Sequence, residues 1–146
     1  MSQASAPAAP STAELMGTVA MFCRGYVQDF AEASTSLDLT STQAKALALL
    51  GEPTAMGELA DRLSCDASNA TLLVDRLERR GLVERHADRA DRRVKKVVAT
   101  AEGNKVAAQV RERMQATIAA LDALGPEDRR TLHDLLDRLC SVLQGN

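Results

Sequence analysis

The chain has 146 residues, of which 45% are hydrophobic and 2% aromatic, with no Trp. A chain of this length suits one domain that needs no disulfide or metal staple, with a core of helical Ala, Leu and Val. Its formal charge of −2 argues on average against a polyanion partner, and no apolar run approaches the ~18 residues of a membrane span.

Residues 1–11, beginning M-S-Q-A-S-A-P-A-A-P-S, have neither a basic start nor an apolar h-region, so they read as a disordered arm rather than a secretory signal. Residues 12–33 place Leu15, Val19, Phe22, Cys23, Tyr26, Val27 and Phe30 at helical spacing. A polar stretch from Ala33 to Asp38 ends that helix. Thr40 then opens a second one, because T-S-T-Q offers a capping box in which the Thr40 hydroxyl and the Gln43 amide exchange hydrogen bonds with the backbone. This helix runs through Leu47 and stops at Gly51, with Pro53 beyond.

A third helix is expected over about 57–64, followed by the turn Ser64–Cys65–Asp66. Asp66 is a good N-cap for a fourth helix over about 67–80, whose Ala70, Leu73, Val74 and Leu77 form one apolar face. Gly81 suits the residue after its end, where a left-handed backbone is wanted. The period then changes. Leu82–Ala87 and Arg93–Thr100 read as two short strands around the polar turn D-R-A-D-R. Thr100 caps a long fifth helix, expected over about 101–124. Pro126 restarts the chain at the first position of a last helix, with Glu127 and Asp128 at its positive end.

The charge is unevenly spread. Residues 76–96 hold nine of the 18 Lys and Arg (Arg76, Arg79, Arg80, Arg85, Arg89, Arg92, Arg93, Lys95, Lys96) against four acids, while residues 1–75 hold three basic and nine acidic groups. An acidic body with one basic segment attracts a polyanion at that segment and repels it elsewhere.

Two short helices joined by a tight turn and followed by a hairpin make a winged helix-turn-helix, mainly α with a small β-hairpin wing. Duplex DNA suits this shape, since a major groove about 12 Å wide admits one helix whose N-terminal residues reach base edges. The fourth helix offers Ser68, Asn69 and Thr71 there, with Asn69 suited to a two-bond pairing with adenine. Arg76 and Arg79 follow as phosphate partners. The hairpin tip carries Arg89, Asp91, Arg92 and Arg93, cations suited to a narrow minor groove; Asp91 is placed to brace the Arg93 guanidinium. The bland alternative is that Ser68, Asn69 and Thr71 merely favour a helix start and that the basic run is a solvated face.

The segments L-T-S-T-Q-A-K-A-L-A-L-L, E-L-A-D-R-L, D-A-S-N-A-T-L-L-V-D-R-L-E-R-R-G-L-V-E-R and D-R-A-D-R-R-V-K-K-V-V-A-T-A-E-G resemble the MarR family of bacterial transcription regulators. The resemblance spans about residues 12–143, and its most specific block runs from Asp66 to Gly103. It implies a homodimer on a pseudo-palindromic DNA operator. Residues 12–36 and 101–146 would be its dimerisation helices and residues 37–100 its winged DNA-binding domain. By position it carries Ser68, Asn69 and Thr71 onto recognition-helix contacts, Arg93 onto a wing arginine and Asp91 onto its bracing acid. Leu72 and Leu73 stand where the family often has Arg or another polar residue, which implies a lost contact or a changed sequence preference. The family also implies a small aromatic or phenolic effector, bound between the dimer helices and the winged domain, that turns a repressor off.

The apolar first and last helices need something to pack on, and a second copy is the simplest cover. Tyr26, Phe22 and Phe30 are then expected in the dimer core. Cys23, Cys65 and Cys140 lie far apart with no C-x-x-C, which argues against a disulfide framework or zinc site and fits a reducing cytoplasm. Some relatives sense peroxide through an N-terminal cysteine, but adjacent helix positions do not face each other, so Arg24 does not activate Cys23. Cys23 is expected to be a small buried hydrophobe, and Cys65 and Cys140 structural. His86 and His133 lack metal-ligand spacing to a second ligand, and no cofactor is expected. There is no Ser/His/Asp arrangement, Gly-rich phosphate loop or acidic pair in an apolar setting, so an enzyme is not expected. The readings that compete with a ligand-responsive repressor are a winged-helix protein–protein interaction module and a thiol-based regulator using Cys23.

Overall fold

The computed structural model describes residues 8–88, 91 and 93–145. Among the described residues, seven helices and three short strands follow in the order α1 (Thr12–Thr35), α2 (Ser41–Leu49), β1 (Thr54–Ala55), α3 (Met56–Leu63), α4 (Ala67–Arg79), β2 (Val83–Ala87), β3 (Lys95–Ala99), α5 (Ala101–Arg113), α6 (Gln115–Asp122) and α7 (Pro126–Leu143). The architecture is mainly helical with one small antiparallel sheet, a winged helix-turn-helix carried between helices from the two ends of the chain.

Local chemistry sets most boundaries. Thr40 and Gln43 form the expected reciprocal cap on α2, and Asp66 accepts the Asn69 N–H at 2.8 Å to start α4. Gly81 closes α4 with φ of 70°, the left-handed conformation that glycine adopts without penalty. Pro126 opens α7. A second capping box, Ser11 with Glu14, starts α1 inside the segment read as an arm. The Glu14 carboxyl is held below its ordinary value by hydrogen bonds from the Ser11 side chain and backbone.

The sheet has the order β1-β3-β2, both pairings antiparallel. β2 and β3 form the wing, with Arg85 opposite Val97 and His86 opposite Lys96. β1 was not expected. It is two residues long after Pro53, too short for any alternation to show, and it pairs Thr54 with Val97.

The core lies between α2, α3, α4, the sheet and α5. Leu47, Leu50, Leu59, Leu77, Val74, Val83, Val97 and Val110 are fully buried there. Gly103 is required at the start of α5, because a Cβ on it would lie 1.9 Å from the Leu82 carbonyl oxygen.

The expected single helix over 101–124 is broken. Met114, with ψ of 62°, separates α5 from α6. Tertiary bonds replace the lost helical ones. The Asp29 carboxylate on α1 accepts the Thr117 N–H at 2.7 Å, and Arg113 donates to the carbonyl and hydroxyl oxygens of Ser36 at 3.0 and 2.9 Å. Met114 is itself buried, so the break also turns an apolar side chain inward.

No described residue of α6 or α7 is buried. Tyr26 and Phe22 are about half exposed, while Phe30 packs against the core. Cys23 and Cys140 are exposed and Cys65 is half-buried, so the expected burial of Cys23 does not hold within one chain. It lies on a stretch of α1 that extends past the core, where no described residue buries it. Among the described residues, no helix is long and apolar enough to cross a membrane.

Candidate nucleic-acid interface

The exposed start of α4 is organised by one carboxylate. Asp66 Oδ1 accepts the Asn69 backbone N–H and Asp66 Oδ2 accepts from Asn69 Nδ2, each at 2.8 Å. The cap therefore also sets the plane of the Asn69 amide, whose Oδ1 and second Nδ2 hydrogen remain for an outside partner. Thr71 donates its hydroxyl proton to the Ala67 carbonyl at 2.8 Å, which leaves its oxygen as an acceptor. Ser68 is exposed one position before Asn69. These three residues thus share one turn of one helix.

Arg76 and Arg79 lie on the last turns of α4, both exposed. Arg79 Nε donates to the Asp75 carbonyl at 3.2 Å. The same helix carries two acids, Asp75 and Glu78, that would repel a phosphate backbone. Arg85 of β2 answers both. Its Nη2 lies 2.6 Å from Asp75 Oδ1, and its Nη1 bonds Glu78 Oε2. This one guanidinium neutralises the acids of α4 and ties the wing to that helix.

Arg80 is occupied elsewhere. Its Nη1 donates to the Asp38 carbonyl at 2.6 Å, where Asp38 adopts φ of 56° in the turn between α1 and α2. The basic segment therefore holds cations with internal work as well as cations facing solvent. In the sequence, Arg80 and Arg85 register only as charge. The signal for Arg85 was present: two acids three residues apart on one helix face, followed by an arginine on the adjoining strand.

In the wing, Asp88 N–H donates to the Val94 carbonyl and Val94 N–H to the Asp91 carbonyl, each at 2.9 Å. Arg93 is exposed. Asp91 engages it differently from the expected guanidinium pairing: Asp91 Oδ1 accepts the Arg93 backbone N–H at 2.9 Å. A short Asp side chain bonds the backbone two residues on more easily than it reaches a long arginine head, and the contact fixes the turn. Lys96 pairs with Asp88 at 3.2 Å, and His86 Nε2 lies 2.8 Å from Glu84 Oε1. Arg89 and Arg92 lie outside the described residues.

A separate cavity of about 440 Å³ opens between α1, α2 and α3. Tyr26, Phe30, Leu49 and Leu63 give it apolar walls, and Lys45 supplies a cation. The Tyr26 and Phe30 rings are stacked with centroids 6.4 Å apart.

Residues 39–95, which span α2 through the start of β3, match the profile of the MarR family. The HTH-type transcriptional regulator YfiV of Bacillus subtilis (strain 168) is 30% identical over 111 residues, covering 74% of this chain and 69% of that protein. The structure of the transcriptional regulator BldR from Sulfolobus solfataricus superposes with a TM-score of 0.68 at 30% identity, covering 90% of this chain and 93% of BldR. The fold also matches a point mutant of S. aureus MepR bound to an oligodeoxyribonucleotide, with a TM-score of 0.59 at 21% identity over 92% of this chain and 99% of MepR. The chain belongs to the MarR family, a DNA-binding transcriptional regulator built on a winged helix-turn-helix.

Proposed function

We propose that the protein is a homodimeric, ligand-responsive repressor that reads a pseudo-palindromic operator. The observation that carries this reading is the polar first turn of α4, with Asn69 oriented by Asp66 and the acids of the same helix neutralised by Arg85. In this reading α4 enters the major groove. Asn69 pairs with a base edge, Thr71 accepts from a base donor, and Ser68 serves a base or a phosphate. Arg76 and Arg79 take phosphates, and Arg93 at the wing enters the adjacent minor groove with Arg89 and Arg92. Asp91 contributes by holding the Arg93 turn. Fold likeness to DNA-bound MepR supports the same use of these elements.

Residues 12–36 and 101–146 supply the dimer contacts in this reading, and residues 37–100 the DNA-binding domain. The exposed apolar positions Leu15, Val19, Phe22, Leu135, Leu136 and Leu139 of α1 and α7 support it. A two-fold axis would set the recognition helices about 34 Å apart, one turn of DNA. The cavity beside α1 suits a small aromatic anion, with Lys45 for its charge and Tyr26 and Phe30 for its ring. Occupancy there would favour a dimer whose recognition helices are misplaced. A coupling of about 1–3 kcal/mol suffices to release DNA.

Selection of bound duplexes from a random pool, followed by anisotropy titration of the selected operator, tests the reading. The expected result is a two-fold symmetric motif whose affinity falls about 10³–10⁵-fold between 50 and 200 mM salt. The absence of any enriched duplex, or an affinity indifferent to salt, would refute it.

A further inference from the structure

Leu72 lies in the middle of the solvent side of α4. At 3.6 residues per turn, the buried Ala70, Val74 and Leu77 mark one side of the helix, and Ser68, Leu72 and Arg79 fall on the opposite side. Leu72 is 54% exposed although it is a large apolar side chain. It sits one turn after Ser68 and one turn before Arg76, so a ligand that touches those two residues passes over it.

The large apolar side chains exposed among the described residues fall almost wholly on α1, α6 and α7; Leu72 and Val94 are the exceptions, one on α4 and one in the wing turn. A protein partner ordinarily needs a contiguous apolar patch. On the helix surface Leu72 is instead flanked, at positions one to four residues away, by Ser68, Asn69, Thr71, Asp75 and Arg76, polar neighbours whose acid is already paired with Arg85. That setting fits a polyanion carrying single apolar points at defined places. In duplex DNA the apolar point of the major groove is the thymine C5-methyl group.

We infer that Leu72 is a specificity-determining residue that selects thymine in each operator half-site by burying its C5-methyl group against the leucine side chain. The inference rests on the proposed DNA reading. It turns the position that lacks the family's common polar residue from a lost contact into an apolar one.

Uracil differs from thymine only by that methyl group, so it isolates the contact. Each thymine of the selected operator is replaced in turn by deoxyuridine, and affinity is measured for the wild-type, Leu72→Ala and Leu72→Met proteins. One thymine per half-site should stand out, its replacement weakening wild-type binding about fourfold, as loss of one buried methyl group implies. Leu72→Ala should lose this dependence and Leu72→Met should keep it. A flat uracil scan, or a Leu72→Ala protein that retains the uracil penalty, overturns the inference while leaving DNA binding intact. A protein that enriches no duplex at all refutes the DNA reading itself.

Discussion

The winged part of the molecule and the helices at the two ends of the chain are equally apolar to the eye yet behave oppositely. Leu47, Leu59, Leu77 and Val97 are sealed by their own chain. Leu135, Leu136, Leu139 and Val142 recur at the same helical spacing on α7 and are all exposed, Val142 at 75%. A hydrophobic period thus identifies which face of a helix is apolar, but not whose atoms cover it. The winged part closes on itself because α5 returns Ala107 and Val110 to it. The far end of α1 and all of α7 extend past that core.

Two leucine truncations separate the regions most sharply. Leu59→Ala should cost about 2–5 kcal/mol of unfolding free energy, since a fully buried leucine leaves a cavity behind. The cost should be the same at every protein concentration in urea titrations. On the proposed pairing through α1 and α7, Leu139→Ala should act through association alone, raising the dimer dissociation constant in sedimentation experiments. If Leu139→Ala lowers stability at all concentrations by as much as Leu59→Ala, the contrast between the regions is wrong.

Gly103→Ala probes the closure of the winged part from the other direction. The added methyl would meet the Leu82 carbonyl, a backbone atom that cannot swing aside. Overpacking of this kind should cost about 1–3 kcal/mol. A melting temperature equal to that of the wild type would mean that α5 can shift away from the sheet without loss.

Much of the winged part was legible because its signals are local. Thr40 with Gln43, Asp66 with Asn69, and Gly81 each fix a boundary through atoms within a few residues, and the structure uses all three. The break at Met114 was not legible, because its cause lies on α1, where Asp29 is far from Thr117 in sequence. β1 escaped for a similar reason, since Thr54 becomes a strand only through Val97. At the candidate interface the polar turn at Ser68–Thr71 was visible. The division of labour among the arginines was not, because charge counting ignores partners such as Asp75, Glu78 and the Asp38 carbonyl.

That division of labour gives a smaller expected effect. Arg85→Ala removes the counter-charge of Asp75 and Glu78 from the helix proposed to approach phosphates. Operator affinity should fall about tenfold, with the loss shrinking at high salt, while the fold survives because such partly exposed ion pairs contribute on the order of 1 kcal/mol to stability. Binding unchanged at low salt would show that the acids of α4 lie outside the field of the DNA.

The smallest effect is expected where the two regions meet. Hydrogen bonding from the Thr117 side chain, and then its backbone N–H, holds the Asp29 carboxyl below its ordinary value. A carboxylate with a lowered folded pKa adds stability that is complete above its unfolded value and disappears as pH falls through the folded value. Wild type should therefore exceed Asp29→Asn in stability at neutral pH, and the two should converge in acid once the carboxyl of the wild type is protonated. Urea titrations at a series of pH values read this directly. Parallel profiles for the two proteins would mean that the break at Met114 is held by Arg113 and Ser36 alone, and that the junction between winged part and end helices carries no acid-sensitive contact at this site.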